Sequence, residues 1–390
     1  MYTEDPIVFT IFLVFSGAAL LATLALFARQ TLPVAYILLG VLLGPSVASL
    51  VDDPVIVSEI SHIGIMFLLF LMGLDLNPRE LVRLFGRTSM VTLASSLIFG
   101  ALGFLLILSF GFSMQESLII GAAATFSSTI IGLKLLPTTV LHHRHTGEVI
   151  ISVLLMQDLL AILLLVILQG GAQDNHPVFE IVRLLIAIPL LIGLSILVVR
   201  YVLNRLITRF DTIHEYVFLL AIGWCLGLAE AGAALGVSHE IGAFLAGITL
   251  ASSPVAQFVS EKLKPLRDFF LVIFFFSIGA GFDLKLAAGV AIPALLLAAI
   301  MLVGKPFVFQ VLLHWAGDSR RRGMEVGVRL GQMSEFSLLV AMLAHSSGII
   351  RAEASYLVQL ATLITFLVSS YLVVMNYPTP IAISDRLRRD

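Results

Sequence analysis

Residues 147–170 read GEVIISVLLMQDLLAILLLVILQG, an apolar run with Gln157 and Asp158 near its midpoint. As a helix the run rises about 36 Å, enough to cross a hydrocarbon core of about 30 Å. A carboxylate at that depth costs about 2.5 to 3.5 kcal/mol on insertion scales. An Asp there is therefore expected to bind something that offsets the cost, and a proton or a cation does so most directly. The run predicts a transporter for such a cargo.

Composition places the rest of the chain in the same setting. Of its 390 residues 59% are hydrophobic and only 12% are charged, too few charges to cover a water-soluble protein of that size. The formal net charge of -2, with basic residues in short separate clusters, argues against nucleic acid as a partner. Cys225 is the only cysteine, which excludes an intramolecular disulfide framework and predicts a packed thiol in an apolar run. The first apolar run, 7–28, follows Glu4 and Asp5 and not a basic segment, so it is expected to be a spanning helix that is retained.

At about 20 apolar residues per crossing, thirteen helices are expected: 7–28, 33–50, 60–76, 88–110, 115–137, 147–170, 179–203, 214–235, 239–254, 265–282, 287–313, 323–347 and 353–377. The fold class expected is an all-α polytopic membrane protein, with a transport domain over 1–378 and a short basic tail over 379–390. Alternate connections, with the tail, hold eighteen Lys and Arg residues, among them Arg200, Arg205, Arg209 and Arg320 to Arg322. The opposite set holds Arg183, Lys285 and Arg351. Positive charge is retained on the cytoplasmic side, which predicts an external N-terminus and a cytoplasmic C-terminus.

Similar segments recur about 208 residues apart. Residues 35–45 (AYILLGVLLGP) correspond to 242–254, and Gly73-Leu74-Asp75-Leu76 to Gly281-Phe282-Asp283-Leu284. The offset is seven helices, an odd number, so equivalent segments cross in opposite senses. This predicts an inverted repeat, 7–170 against 214–377, joined by a linker helix over 179–203. The fifth helix then pairs with the twelfth, and polar residues interrupt both: Thr125, Ser127, Ser128 and Thr129 in one, Gln332, Ser334 and Glu335 in the other. Clustered hydroxyls and glycines let a helix unwind, and unwound carbonyls coordinate cations. Back-bonding to the preceding turn is the competing role for any single hydroxyl.

Lys305, followed by Pro306, is a second intramembrane charge and is expected to face Asp158, with snorkelling to the cytoplasmic surface as the alternative. Arg329 and Glu335 lie six positions apart, so each is expected to find its partner elsewhere. Glu335 is assigned a structural or gating role. Gly40, Gly44, Gly323, Gly327 and Gly331 follow the spacing of small residues that permits close helix approach. Asp75 and Asp283 are assigned as helix caps, and the run 142–145 (HHRH) as a solvated loop.

Five segments carry a resemblance to a known family: TFSSTIIG (125–132), ISVLLMQDLLAI (151–162), EIGAFLAGITLASSP (240–254), FFFSIGAGFDL (274–284) and GQMSEFSLLV (331–340). The chain resembles, over about residues 10–377, the membrane domain of Kef-type potassium/proton antiporters of the monovalent cation/proton antiporter-2 family. The resemblance implies a sodium/proton antiporter-like fold with broken helices crossing near the midplane, a mobile core domain, a dimerisation domain and hence a homodimer. It implies that Asp158 is the shared cation and proton site, with Gln157, Thr125, Ser127 and Ser128 around it. Gln157 before Asp158, where sodium-selective relatives tend to have Asn or Asp, tilts the expected cargo toward K+. The resemblance also implies a multi-pass protein of the inner (plasma) membrane and, as a further partner, a cytosolic regulatory domain or subunit.

The function expected is exchange of a monovalent cation, K+ before Na+, for H+ by alternating access at Asp158, with Lys305 as charge partner and Thr129, Ser334 and Glu335 at the breaks. No cofactor is expected. No pairing of nucleophile with base, phosphate loop or metal-ligand cluster points to an enzyme. A Na+/H+ antiporter is the near alternative, a cation channel or a non-transporting membrane sensor the distant ones.

Overall fold

A computed structural model describes residues 6–51, 54–75, 87–136, 145–170, 177–210, 212–251, 253 and 256–379. Arg79, Arg83 and Arg144, which belong to the eighteen basic residues counted above, most of the loop run 142–145 and the tail from residue 380 lie outside these. Among the described residues the regular elements are helices. Seven are long and apolar enough to cross a membrane, Ile7–Phe27, Thr88–Ser109, Thr146–Leu168, Ile186–Arg209, Glu215–Ala234, Ala291–Trp315 and Ala352–Asn376. Shorter apolar helices, Leu32–Leu43, Ile60–Leu74, His239–Ala251 and Glu335–Ser346, correspond to four more of the expected segments.

In chain order the helices are α1 (Pro6–Phe27), α2 (Leu32–Leu43), α3 (Pro54–Asp75), α4 (Arg87–Ser109), α5 (Met114–Thr125), α6 (Thr129–Lys134), α7 (His145–Gly170) and α8 (Pro177–Val198). A π-turn (Val199–Leu203) joins α8 to α9 (Asn204–Arg209). Then come α10 (His214–Ala234), α11 (His239–Ala251), α12 (Ala256–Ala280), α13 (Leu284–Gly289), α14 (Ala291–Trp315), α15 (Arg320–Arg329), α16 (Glu335–Ser346) and α17 (Ala352–Asn376).

Several expected boundaries move, the start of α3 from residue 60 to Pro54 among them, and three have a physical reason in the chain. Helix α2 stops at Leu43, not residue 50, because Pro45 cannot continue it and Ser49 adopts a left-handed conformation, φ 48°. Helix α12 starts at Ala256, nine residues before the apolar run, since a helix may carry Lys262 and Lys264 on its aqueous turns and Pro265 removes only one donor. The segment expected at 287–313 is two helices. Asp283 caps α13, its carboxylate accepting from the Lys285 N–H at 2.7 Å and the Leu286 N–H at 3.3 Å, and α14 starts after Val290. Asp283 is thus a cap as expected. Asp75 closes α3.

The chain divides into two compact units, 1–18 with 36–83 and 166–281, and 19–35 with 84–165 and 282–390. Each draws segments from both halves of the sequence. In the first unit, α2 crosses α12 and α3 crosses α11 at glycines. A Cβ on Gly40 would lie 2.1 Å from the Phe276 carbonyl oxygen, and one on Gly279 2.0 Å from that of Ile37. A Cβ on Gly73 would lie 2.5 Å from the Phe244 oxygen, and one on Gly247 2.0 Å from that of Phe70. Only glycine permits backbones so close. Gly40 and Gly247 are separated by nearly the same offset as Gly73 and Gly279, so each crossing maps onto the other when the halves are exchanged. Cys225 is fully buried in this unit's apolar core, as expected.

The second unit holds both interrupted helices. Helix α5 begins with a capping box, in which Ser113 Oγ accepts the Glu116 N–H and Glu116 Oε2 accepts the Ser113 N–H. The same carboxylate receives Arg351 Nε at 2.8 Å and a second guanidinium nitrogen at 2.9 Å. That pairing joins the start of α5 to the residue before α17, and it holds the Arg351 guanidinium above its usual proton affinity. Elsewhere in the unit, Gly323 and Gly327 let α15 lie against the backbone of α14, where a Cβ on Gly327 would sit 2.4 Å from Pro306 Cα. The Ser-Thr face of α17 (Ser355, Thr362, Thr365, Ser369 and Ser370) is buried in the same unit.

Candidate ion site at two broken helices

Both helices expected to unwind do so. Between α5 and α6 the chain is non-helical over Phe126–Ser128, with Phe126 extended at φ -75°, ψ 149°; between α15 and α16 it is non-helical over Leu330–Ser334. A break leaves backbone donors and acceptors without helical partners, and at membrane depth these must be satisfied by the surrounding protein or a cavity it encloses. Side chains from three other helices, α7, α14 and α17, take up several of them.

Gln157 spans the first break. Its Oε1 accepts the Ser127 N–H at 3.0 Å and its Nε2 donates to the Thr125 carbonyl at 3.2 Å. The side chain is fully buried. Ser128 Oγ accepts the Ile131 N–H and so caps α6. At the second break Ser334 forms a capping box with Ser337 at the start of α16, and the Met333 N–H donates to Thr365 Oγ1 at 3.0 Å. The breaks are also tied to each other. Ser127 Oγ donates to the Leu330 carbonyl at 2.9 Å, Ser337 Oγ to that of Ala123 at 2.6 Å, and Gln332 Nε2 to that of Ser128 at 3.4 Å.

Asp158, 3% exposed, lies on α7 beside this crossing. Its two carboxylate oxygens are both within reach of the Thr129 hydroxyl, at 3.3 and 3.2 Å. Thr129 opens α6, whose N-terminal dipole end favours negative charge. Glu335 is buried at the start of α16, directly after the second break. Among the described residues the carboxylate is therefore held by one hydroxyl, with capacity left for a proton or a cation.

The structure corrects the expected Lys305–Asp158 pair. Lys305 is fully buried, so it does not snorkel, and its Nζ donates to the Phe126 carbonyl at 2.8 Å, the Gln332 carbonyl at 2.9 Å and Ser127 Oγ at 3.1 Å. The three donors of the ammonium are thereby filled at the crossing itself, and the Phe99 ring centroid lies 5.6 Å from Nζ. The physical reason is that two unwound strands present carbonyls at the C-terminal ends of half-helices, where the negative dipole end gathers.

The other expected site residues separate by role. Thr125 bonds back to the Ala122 carbonyl, the ordinary behaviour of a helical hydroxyl, and only its carbonyl enters the network. Ser127 and Ser128 build the crossing, and Thr129, assigned to the break alone, is the hydroxyl on Asp158. Arg329 finds partners elsewhere, as expected: Glu325 at 3.1 Å, the Leu135 carbonyl at 3.2 Å and the Pro378 carbonyl at 3.0 Å. Sequence reasoning missed Thr365 and Ser369 of α17. Ser369 Oγ donates to Gln332 Oε1 at 2.8 Å, which directs the Gln332 amide nitrogen to Ser128. Their signal was a column of hydroxyls on one face of an otherwise apolar helix.

Residues 13–375 match the family described as "Sodium/hydrogen exchanger, transmembrane". The chain is 26% identical over 346 residues to "Iron transporter MagA" of Paramagnetospirillum magneticum, covering 88% of this chain and 79% of that protein. It is 28% identical to "K(+) efflux antiporter 6" of Arabidopsis thaliana, covering 90% and 60%, and 29% identical to "Glutathione-regulated potassium-efflux system protein KefC" of Enterobacter sp., covering 87% and 55%. The chain thus spans little more than half the length of several curated relatives. The solved structure of the sodium proton antiporter MjNhaP1 from Methanocaldococcus jannaschii superposes with a TM-score of 0.71 at 17% identity, over 94% of this chain and 95% of that one, and shares its fold.

Proposed function

Because the chain belongs to the sodium/hydrogen exchanger transmembrane family, a family of cation/proton antiporters, we propose that it exchanges a monovalent cation for H+ at Asp158, with K+ preferred. One observation carries this reading: a buried carboxylate with a single hydroxyl partner among the described residues stands beside two unwound helix segments that are packed against each other. A bare carboxylate is too costly to move through an apolar barrier, whereas a carboxylic acid, or a carboxylate with a cation on it, is neutral. The proton and the cation compete for one group. Binding a cation on one side releases the proton there, and the reverse happens on the other side. The empty charged site stays where it is, so the two fluxes are coupled.

The donors on offer at this crossing are all oxygens, from a carboxylate, hydroxyls and backbone carbonyls, which suit hard cations; imidazole and thiolate ligands of the kind that hold iron are not among them. Preference for K+ rests on Gln157 before Asp158 and on the relatives named as K+ efflux antiporters. Gln157 acts indirectly in this reading, by shaping the Thr125–Ser127 backbone rather than by touching the carboxylate.

The same proposal includes the inverted repeat, supported by the exchangeable glycine crossings and by two breaks at equivalent positions. It includes a plasma-membrane location with an external N-terminus, supported by the distribution of Lys and Arg. It also includes a homodimer and a cytosolic regulatory domain or subunit, both by analogy with the family. The test is proton flux in liposomes with K+, Na+, Li+ and choline compared. Flux driven by K+ and Na+ but not choline is expected, with K+ half-saturating at the lower concentration. Equal flux with choline would sink the reading, and discrete single-channel currents would favour a channel.

A further inference from the structure

Lys305 occupies a place built like a cation site. Its Nζ sits among the Phe126 carbonyl, the Gln332 carbonyl and Ser127 Oγ at 2.8, 2.9 and 3.1 Å, distances typical of a dehydrated potassium-sized ion and oxygen as well as of an ammonium. Two of these oxygens are backbone carbonyls freed by unwinding. Phe126 is the C-cap of α5, and Gln332 follows the end of α15, so each stands at the C-terminal end of a half-helix, where partial negative charge collects. The Phe99 ring lends its face at 5.6 Å. Among the described residues the ammonium has no hydrogen bond to a carboxylate, and its place is fully buried.

We propose that the cage of Phe126 O, Gln332 O and Ser127 Oγ is a second monovalent-cation station, for K+, Rb+ or NH4+, and that the Lys305 ammonium fills it as a tethered stand-in for the cargo. It extends the exchange reading and rests on it in one respect, that cations reach this crossing. The two stations are adjacent along the same break. Phe126 and Ser127 serve the cage, and Thr129, two residues on, serves Asp158. A cation at Asp158 could therefore pass to the cage whenever Lys305 withdrew, with no new backbone opening. No covalent step is involved; the ammonium and the cation exchange places.

The cage is held from behind. Gln332 offers its carbonyl to Lys305 while its side chain is fixed between Ser369 Oγ and the Ser128 carbonyl. Ser127 is fixed between Gln157 Oε1 and the Leu330 carbonyl. Removal of Lys305 therefore leaves three aimed oxygens around a vacated charge.

The experiment separates this station from Asp158 by removing the latter. In Asp158→Asn protein with Lys305 present, melting temperature should be indifferent to K+ beyond the choline control. In Asp158→Asn with Lys305→Ala, K+, Rb+ and NH4+ should each raise the melting temperature saturably, by on the order of a few degrees, and choline should not. Adding Ser127→Ala should weaken that response several-fold. Lys305→Met in the same background fills the volume with an apolar tip and should show no response. A flat response in the Lys305→Ala protein, or an equal one in the Lys305→Met protein, overturns the proposal. So does failure of all three ions to yield folded Asp158→Asn, Lys305→Ala protein when they are present throughout purification. None of these outcomes bears on whether Asp158 exchanges protons, which the liposome assay decides separately.

Discussion

Gln157 closes the gap in the first broken helix by bonding both edges of it, accepting from the Ser127 N–H and donating to the Thr125 carbonyl. The amide thus replaces two helical hydrogen bonds at a fully buried point. In the exchange proposed above, its neighbour Asp158 is left to the cargo. Adjacent residues on one helix, pointing into one crossing, divide the work into holding the backbone and carrying the charge.

That division predicts different phenotypes for the two positions. Gln157→Leu keeps the bulk but orphans two buried backbone groups, at about 1 to 3 kcal/mol each, so a lower melting temperature and weaker cation half-saturation are expected together. Thermal unfolding followed by fluorescence, with flux on the same preparation, checks it; a stable protein with altered flux alone would mean that Gln157 contacts the ion directly.

Asp158→Asn keeps volume and removes charge. Cation-dependent proton flux is expected to vanish while the protein inserts normally, and removing a buried charge should leave the melting temperature unchanged or higher. Wild-type flux in this variant would eliminate the shared-carboxylate mechanism.

Thr365→Val orphans the Met333 N–H at the second break, and Ser369→Ala frees the Gln332 amide to rotate. Each is expected to cost about 1 to 3 kcal/mol and to reduce flux, although both lie on α17 and neither touches Asp158. Thr365→Ser, which keeps the acceptor oxygen, should restore both. If the Val and Ser variants behave alike, the hydroxyl is not what matters at that position.

The glycine crossings make a sharp contrast. Gly40→Ala and Gly247→Ala would place a Cβ about 2 Å from a carbonyl oxygen and are expected to abolish or severely reduce folded yield, whereas Gly223→Ala and Gly227→Ala meet no atom within 4 Å and should be tolerated. Yields after detergent extraction distinguish them, and equal yields would contradict the packing of the first unit.

Topology can be tested at the two ends of the α15–α16 pair. A cysteine at Arg321 should be shielded from an impermeant thiol reagent in intact cells, and one at Ser346 should be labelled; buried Cys225 should give no background. The reverse pattern would overturn the orientation.

The sequence by itself determined the all-helical membrane class, the two interruptions and the buried Asp to which the proposed exchange is assigned. Each of these is a property of a local segment: an apolar run long enough for a bilayer, hydroxyls and glycines where a helix cannot hold, a carboxylate where none is cheap. Tertiary structure alone decided who meets whom. Two buried charges in an apolar chain look like natural partners, yet Lys305 is taken by carbonyls that exist as acceptors only because two distant helices unwind and cross. Likewise, the hydroxyls of α17 gain a role only when Met333 and Gln332 are brought against them. Backbone groups carry no sequence signature, so a site built largely from them becomes visible only when the chain is folded.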